Sequence, residues 1–260
     1  MMNTKYFEKV RDELLAQNCS RKTVQTYNIG LMRFSKFIKK PFYKGTLIDI
    51  NKFKIYLLKS LEPKTVNTYL ASVLFLYREI LNRKIKVKTV KEKIKIPRIL
   101  NNNQIKKMIS LTENKKHQLL LTLLYSSGLR VGEAVKLKYE DIDFQGKAIV
   151  VRQGKGRKDR RTIASNLFLD NINEGKGYVF PGRKDHLSIR SAQEIVKQAG
   201  KRIERNIHPH LLRHSFATHM IQNGSDISNV KEYVGHSSIR TTEKYIHHSR
   251  DYRQIKTPMD

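Results

Sequence analysis

Cysteine is nearly missing: Cys19 is the single one in 260 residues. No disulfide can form within the chain, and the context QNCSRK offers a thiol no partner base, so Cys19 is read as structural. Acidic residues are scarce too, 23 Asp and Glu against 52 Lys and Arg. No stretch approaches the roughly 18 consecutive apolar residues that cross a bilayer, and the opening MMNTKYFEKVRDELL lacks the apolar run of a secretion signal. A cytoplasmic, non-membrane protein is expected. Neither HExxH nor GxxxxGK[ST] occurs, which removes the common zinc-hydrolase helix and the phosphate loop of an NTP-driven motor. His208, His210, His214 and His219 lie close in sequence, but no evident carboxylate completes a metal site among them. No metal and no cofactor are expected.

The charge that remains is a formal +29 at pH 7, with pI ≈ 10.2. Such an excess repels itself and calls for a polyanionic partner, nucleic acid before anionic membrane. The Lys and Arg are spread through segments with apolar periodicity, and 39% of the chain is hydrophobic, so this is a folded basic protein rather than a basic tail. At this length two modest domains can each bury a core.

Helical spacing of Phe7, Val10, Leu14 and Leu15 predicts a first helix over 4–16. Ser20 then caps a second, through Val24, Tyr27, Leu31, Phe34 and Ile38. Arg21, Lys22, Arg33 and Lys36 fall mostly off that apolar face, so this helix can pack on one side and touch phosphate on the other. Residues 47–60 and 63–81 complete four helices, the last opened by a proline whose absent N–H costs nothing in a first turn. The helical N-terminal domain is placed at 1–84. The basic run that follows has no clean helical period, and 85–98 is read as an interdomain linker lying along the nucleic acid, or else a solvated charged loop.

A second domain, 99–260, begins with a helix capped by Asn101–Asn103 and a strongly apolar one, HQLLLTLLYSS. A short helix over 130–137 precedes KYEDIDFQGKAIVVRQGKGRKDRRTIAS, which alternates like strands around a glycine-rich turn. Helices over 191–205, 210–223, 227–234 and 241–247 finish an α+β domain with a small sheet. The fold class is therefore mainly α with a small β-sheet.

Four segments of this second domain stand out: SGLRVGE, GKGRKDR, HPHLLRHSFATHM and VGHSSIRTTEKYIHH. In order and approximate spacing they resemble the signature of the tyrosine recombinase, or lambda-integrase, family. Within it the chain is most similar to compact Xer-type recombinases of archaea. The N-terminal helices match the family's core-binding, SAM-like domain more loosely. The resemblance implies that Arg130, Lys155, His210, Arg213 and His236 are catalytic, that Tyr245 is the nucleophile, and that Glu133 supports Arg130. Taken alone, each residue has a plainer reading. Tyr245 in TTEKY is then a core aromatic, Arg130 a partner for Glu133, His210 a helix cap beside Pro209, and Lys155 one phosphate contact among Arg157, Lys158, Arg160 and Arg161. Lys158 rivals Lys155 for the catalytic role.

Chemically the set is complete for phosphodiester exchange, which needs a nucleophile, stabilisation of charge on the phosphoryl oxygens and a proton for the leaving 5′ oxygen. Arginine forks suit non-bridging oxygens better than an ammonium does. A phenol with an ordinary pKa near 10 needs a base or concentrated positive charge to ionise. The resemblance assigns the base to His210, a phosphate contact to His236 and the leaving-group proton to Lys155. A 3′-phosphotyrosine link would conserve the energy of the broken bond, so no metal or ATP is required. Arg21, Lys22, Arg33, Lys36, Arg157, Lys158 and Arg160 are expected to bind DNA. The expected partners are double-stranded DNA with a specific site and, by resemblance, a homotetramer on two such sites. The expected errand is Xer-like dimer resolution. A mobile-element integrase is the alternative, and a type IB topoisomerase, which shares the chemistry, is the third.

Overall fold

The computed structural model describes residues 3–92, 99–152 and 159–235. Lys155, Arg157, Lys158, His236, Tyr245 and the helix expected over 241–247 lie outside them. The chain divides into two units, Met1–Lys95 and Ile96–Asp260.

The first unit contains α1 (Thr4–Ala16), α2 (Arg21–Ile38), a 3₁₀ turn (Phe42–Lys44), α3 (Leu47–Leu58) and α4 (Pro63–Phe75), which runs on into a π-helical turn (Leu76–Ile80). Ser20 caps α2 by accepting from the Thr23 N–H, and Thr46 with Asp49 forms a reciprocal capping box on α3. The core is aromatic: Phe34 stacks on Phe42 at 5.8 Å and meets Phe53 at 5.0 Å. The Tyr77 hydroxyl donates to the Phe42 carbonyl, and burial pushes its pKa up to about 12. Gly30 lets α2 and α4 approach closely, because a Cβ there would sit 2.2 Å from Ser72 Oγ.

Two expectations for this unit change. Leu15 is half-exposed, and Tyr6 takes its place on the buried face of α1 with Val10 and Leu14, one turn apart each. The stretch read as a free linker or solvated loop is, in its first half, part of the N-terminal unit. Ile85, Val87 and Val90 pack on the core, and Val90 exchanges hydrogen bonds with the Asn67 amide at 2.8 and 3.0 Å. Ile85, Val87 and Val90 are half-buried against the core while Lys86 and Lys88 between them are exposed.

In the second unit α5 (Asn102–Ser110), α6 (Lys115–Ser126) and α7 (Val131–Ala134) precede strands β1 (Ile142–Asp143), β2 (Ala148–Val151) and β3 (Arg160–Ile163). Then come α8 (Asn166–Leu169), α9 (Ile189–Lys201), α10 (Pro209–Gln222) and α11 (Ile227–Val234). The strands pair antiparallel in the order β1-β2-β3, with Val151 opposite Arg160 and Ile149 opposite Thr162. Leu120, Leu121, Leu123 and Leu124 of α6 bury among Leu129, Ile149, Phe168, Val196 and Leu212. A smaller cluster of Phe216, Ala217, Val230 and Val234 joins α10 to α11. Helix α9 starts two residues before the expected 191, because Ser188 caps it.

Candidate active site

The apolar helix α6 ends at Ser126, and the chain must turn sharply to begin α7. Gly128 makes the turn at φ +58, where a Cβ would also lie 2.4 Å from the Phe216 ring. The turn places Arg130 at the N-terminus of α7, and Glu133, one turn on, reaches back to it. Glu133 Oε2 accepts from the Arg130 backbone N–H and Oε1 from Arg130 Nη1, both at 2.8 Å. From β3, Arg160 closes on the same carboxylate through both terminal nitrogens, at 2.9 and 2.8 Å. Burial alone would raise the Glu133 carboxyl, but the hydrogen bonds and charge of Arg160, reinforced by Arg130, hold it down at about 2. Glu133 is therefore ionised at any working pH and fixes two guanidinium groups.

Those guanidiniums also secure the end of α11. Arg130 Nη2 donates to the Gly235 carbonyl at 2.8 Å, and Arg160 Nε donates to the Tyr233 carbonyl at 3.1 Å. Gly235 ends the helix at φ +59, with Arg160 packed where a Cβ would be. Arg213, on α10 and buried, donates to the Gly128 carbonyl at 2.6 Å and to that of Val234. Arg130, Glu133, Arg160 and Arg213 thus form one connected network at the junction of α6, α7, β3, α10 and α11.

His210 lies on the first turn of α10. The cap of this helix is His208, whose Nδ1 accepts from the Leu211 N–H at 3.3 Å, so the capping role weighed for His210 goes to its neighbour. His210 is exposed at the surface of the helix start, and its pKa falls below 6.5, first through the partial desolvation of its ring and then through the charges of Arg213, His208 and Arg130. Its neutral, proton-accepting form therefore persists to lower pH than in a free imidazole. If it is the base, the acid limb of the pH profile for kcat/KM of DNA cleavage falls below 6.5. A limb at or above that value, or one unchanged in His210→Asn, removes His210 from that role.

Arg160 departs from its expected place among the phosphate contacts. Its side chain is only 10% exposed and is spent on Glu133 and Tyr233. The available signal was strand alternation: Arg160 shares a face with Thr162, which is buried and donates to the Ser127 carbonyl, whereas Arg161 points outward. Arg21, Lys22, Arg33 and Lys36 belong to the N-terminal unit and are exposed on α2. Lys22, Arg33 and Lys36 fall along one stripe of that helix, and the Arg33 guanidinium lies 5.4 Å from the centre of the Tyr69 ring.

Residues 98–251 match the model of the phage integrase family, and residues 6–87 match the phage integrase N-terminal SAM-like domain. The chain belongs to the phage integrase family of tyrosine recombinases. This recombinase is 34% identical over 259 residues to the tyrosine recombinase XerA of Pyrococcus horikoshii, covering 94% of its own length and 90% of that protein. It is 31% identical over 256 residues to a putative integrase/recombinase of Sinorhizobium fredii, covering 92% and 83% of the two chains. Its fold matches that of the XerH site-specific recombinase in a post-cleavage complex with palindromic difH substrate. The TM-score is 0.72 at 24% identity, over 95% of this chain and 82% of that one. The four segments singled out in the sequence fall within the integrase match, and the SAM-like one spans α2 to α4 and all of α1 but its first two residues.

Proposed function

We propose that this recombinase cuts DNA by attack of the Tyr245 phenol on a scissile phosphate, forming a 3′-phosphotyrosine that a 5′ hydroxyl of the partner strand then reseals. The observation that carries the reading is the Arg130–Glu133–Arg160 network. It fixes the Arg130 guanidinium between Glu133 and the Gly235 carbonyl, while buried Arg213 donates to the adjoining Val234 carbonyl. In this reading Arg130 and Arg213 turn N–H donors now held by Glu133 and the carbonyls of Gly128, Val234 and Gly235 onto the non-bridging oxygens and stabilise the charge there. Neutral His210 accepts the phenolic proton, His236 donates to a phosphoryl oxygen, and Lys155 protonates the departing 5′ oxygen. None of these roles requires a metal or a nucleotide. Each cut and rejoining exchanges one phosphodiester for another, so the step is near energetic balance.

The N-terminal unit, Met1–Lys95, is the second grip on DNA, with Arg21, Lys22, Arg33 and Lys36 on phosphates, and Arg157 and Lys158 add contacts from the catalytic unit. The errand that fits best is Xer-like resolution of chromosome or plasmid dimers by a cytoplasmic homotetramer on two sites. Likeness to XerA along nearly the whole chain supports it. The test uses a plasmid bearing two copies of a duplex that this chain enriches from a randomised pool. Deletion or inversion between the copies is expected, with DNA affinity falling about 10³-fold or more between 50 and 200 mM salt. Relaxation of plasmid lacking the sites, with no deletion or inversion, would make the chain a topoisomerase instead.

A further inference from the structure

Both arginines assigned to the phosphate depend on how α6 and α10 sit against each other, since Arg130 follows the end of α6 and Arg213 lies within α10. Away from the catalytic network, a separate set of hydrogen bonds ties these helices together. The Tyr125 hydroxyl, near the end of α6, donates to Asn102 Oδ1 at 3.0 Å and meets His219 Nδ1 of α10 at 2.9 Å. With its one proton committed to Asn102, the hydroxyl accepts from Nδ1–H, which sets the His219 tautomer. Two turns of α10 back toward its N-terminus, Leu211 marks the same face, and Ser215 lies between. Ser215 Oγ accepts from the Leu100 backbone N–H and donates to the Leu211 carbonyl, each at 3.0 Å. Ser215 is fully buried and His219 nearly so. The segment Leu100–Asn102, where the chain enters this unit, is therefore fastened to α10 through Ser215 and to α6 through Tyr125.

Neither Tyr125 nor His219 belongs to the catalytic set; the Tyr125 ring packs against both apolar clusters of this unit, and its hydroxyl adds the polar contact. A phenol and an imidazole in bonded contact at a buried helix junction fix a distance and an angle that apolar packing alone leaves looser. We propose that Asn102, Tyr125, Ser215 and His219 form a positioning brace, which sets the register of α10 against α6 and thereby the spacing of Arg213 from Arg130. The proposal rests on Arg130 and Arg213 acting on the phosphate.

The test is single-turnover formation of the protein–DNA adduct by the full-length chain, on a nicked duplex enriched by this chain from a randomised pool. The duplex carries either an ordinary phosphate or an uncharged methylphosphonate at the cut. Tyr125→Phe, Ser215→Ala and His219→Ala are each expected to slow adduct formation about 3- to 10-fold on the phosphate, with DNA affinity unchanged. His219→Asn is expected to retain the wild-type rate, because its amide nitrogen stands near the place of Nδ1 and can donate to Tyr125. On the methylphosphonate, which needs less from the arginines, the losses shrink. A purely structural defect would slow both substrates alike. Equal losses on the two substrates, His219→Asn no better than His219→Ala, or brace variants at the wild-type rate beside a slow Arg213→Ala would each overturn the brace. Arg213→Ala cleaving the phosphate at the wild-type rate would overturn the assignment of Arg213, and the brace with it.

Discussion

Tyr245→Phe abolishes the denaturant-stable protein–DNA adduct on a nicked suicide site and leaves DNA binding intact. The substitution removes one oxygen and keeps the ring, so whatever packing the aromatic provides is preserved while the nucleophile is lost. In the proposed mechanism the remaining groups, Arg130 and Arg213 among them, still hold the phosphate but have no nucleophile to attack it. A loss of at least about 10³-fold is expected, since a missing nucleophile cannot be offset by the groups around it. The check is gel analysis after denaturation, with binding followed by fluorescence anisotropy at fixed salt. An adduct surviving in Tyr245→Phe would move the nucleophile elsewhere and sink the central reading. Loss of adduct together with loss of binding would give the residue a structural task instead.

Arg160→Ala is the second large effect, and its signature separates two ideas about one residue. If Arg160 were a phosphate contact, its removal would weaken binding evenly and reduce the salt slope by about one, with little change in stability. The geometry predicts the reverse. Glu133 and Arg160 are 12% and 10% exposed and joined by two short hydrogen bonds. Removing Arg160 leaves the buried carboxylate to Arg130 alone, a loss approaching but below the roughly 3–5 kcal/mol of a buried charge left with no partner. Arg160→Ala should therefore lower the midpoint of urea unfolding strongly and lose cleavage, because Glu133 and the Tyr233–Gly235 turn both lose an anchor. Its salt slope should stay at the wild-type value. Lysine in place of Arg160 recovers little, since an ammonium cannot bind both carboxylate oxygens and the Tyr233 carbonyl in one plane. A variant of unchanged stability and shallower salt dependence would return Arg160 to the DNA-contacting set.

The stability held in this pair has a defined pH window. The Glu133 pKa is depressed in the fold, so its contribution is fully present above about 4.5, the ordinary value, and is lost only as pH falls toward about 2. Changes in cleavage rate near neutrality therefore belong to other groups, His210 among them.

Much of the fold is written locally. Ser20, Asn101 and Pro63 mark helix starts at the places the structure has them, because caps and first-turn prolines act within one turn. The spacing of Val24, Leu31 and Phe34 gave the buried face of α2 for the same reason. Leu15 faces outward because α1 buries a single narrow stripe, taken by Tyr6, Val10 and Leu14 at four-residue spacing, and Leu15 lies about 100° round the helix from Leu14. The segment at Ile85–Val90 was legible only in hindsight: its lysines dominate its composition, while its apolar residues matter only once a core exists for them to cover.

For the candidate site, four short segments in a fixed order single out Arg130, Glu133, His210 and Arg213 by resemblance, and the fold brings Arg130, Glu133 and Arg213 to one junction. Family membership then followed from the chain's length-wide similarity. What each charged side chain does was decided by tertiary structure. Arg160 and Arg161 are neighbours in a basic run, yet one is clamped on Glu133 and the other is exposed beside Asp143. Tyr125, separated from His219 by 94 positions, meets it through a single hydrogen bond. Side-chain type is a property of the residue, but burial, partner and direction are set by which elements pack together, and that is determined by the whole chain at once.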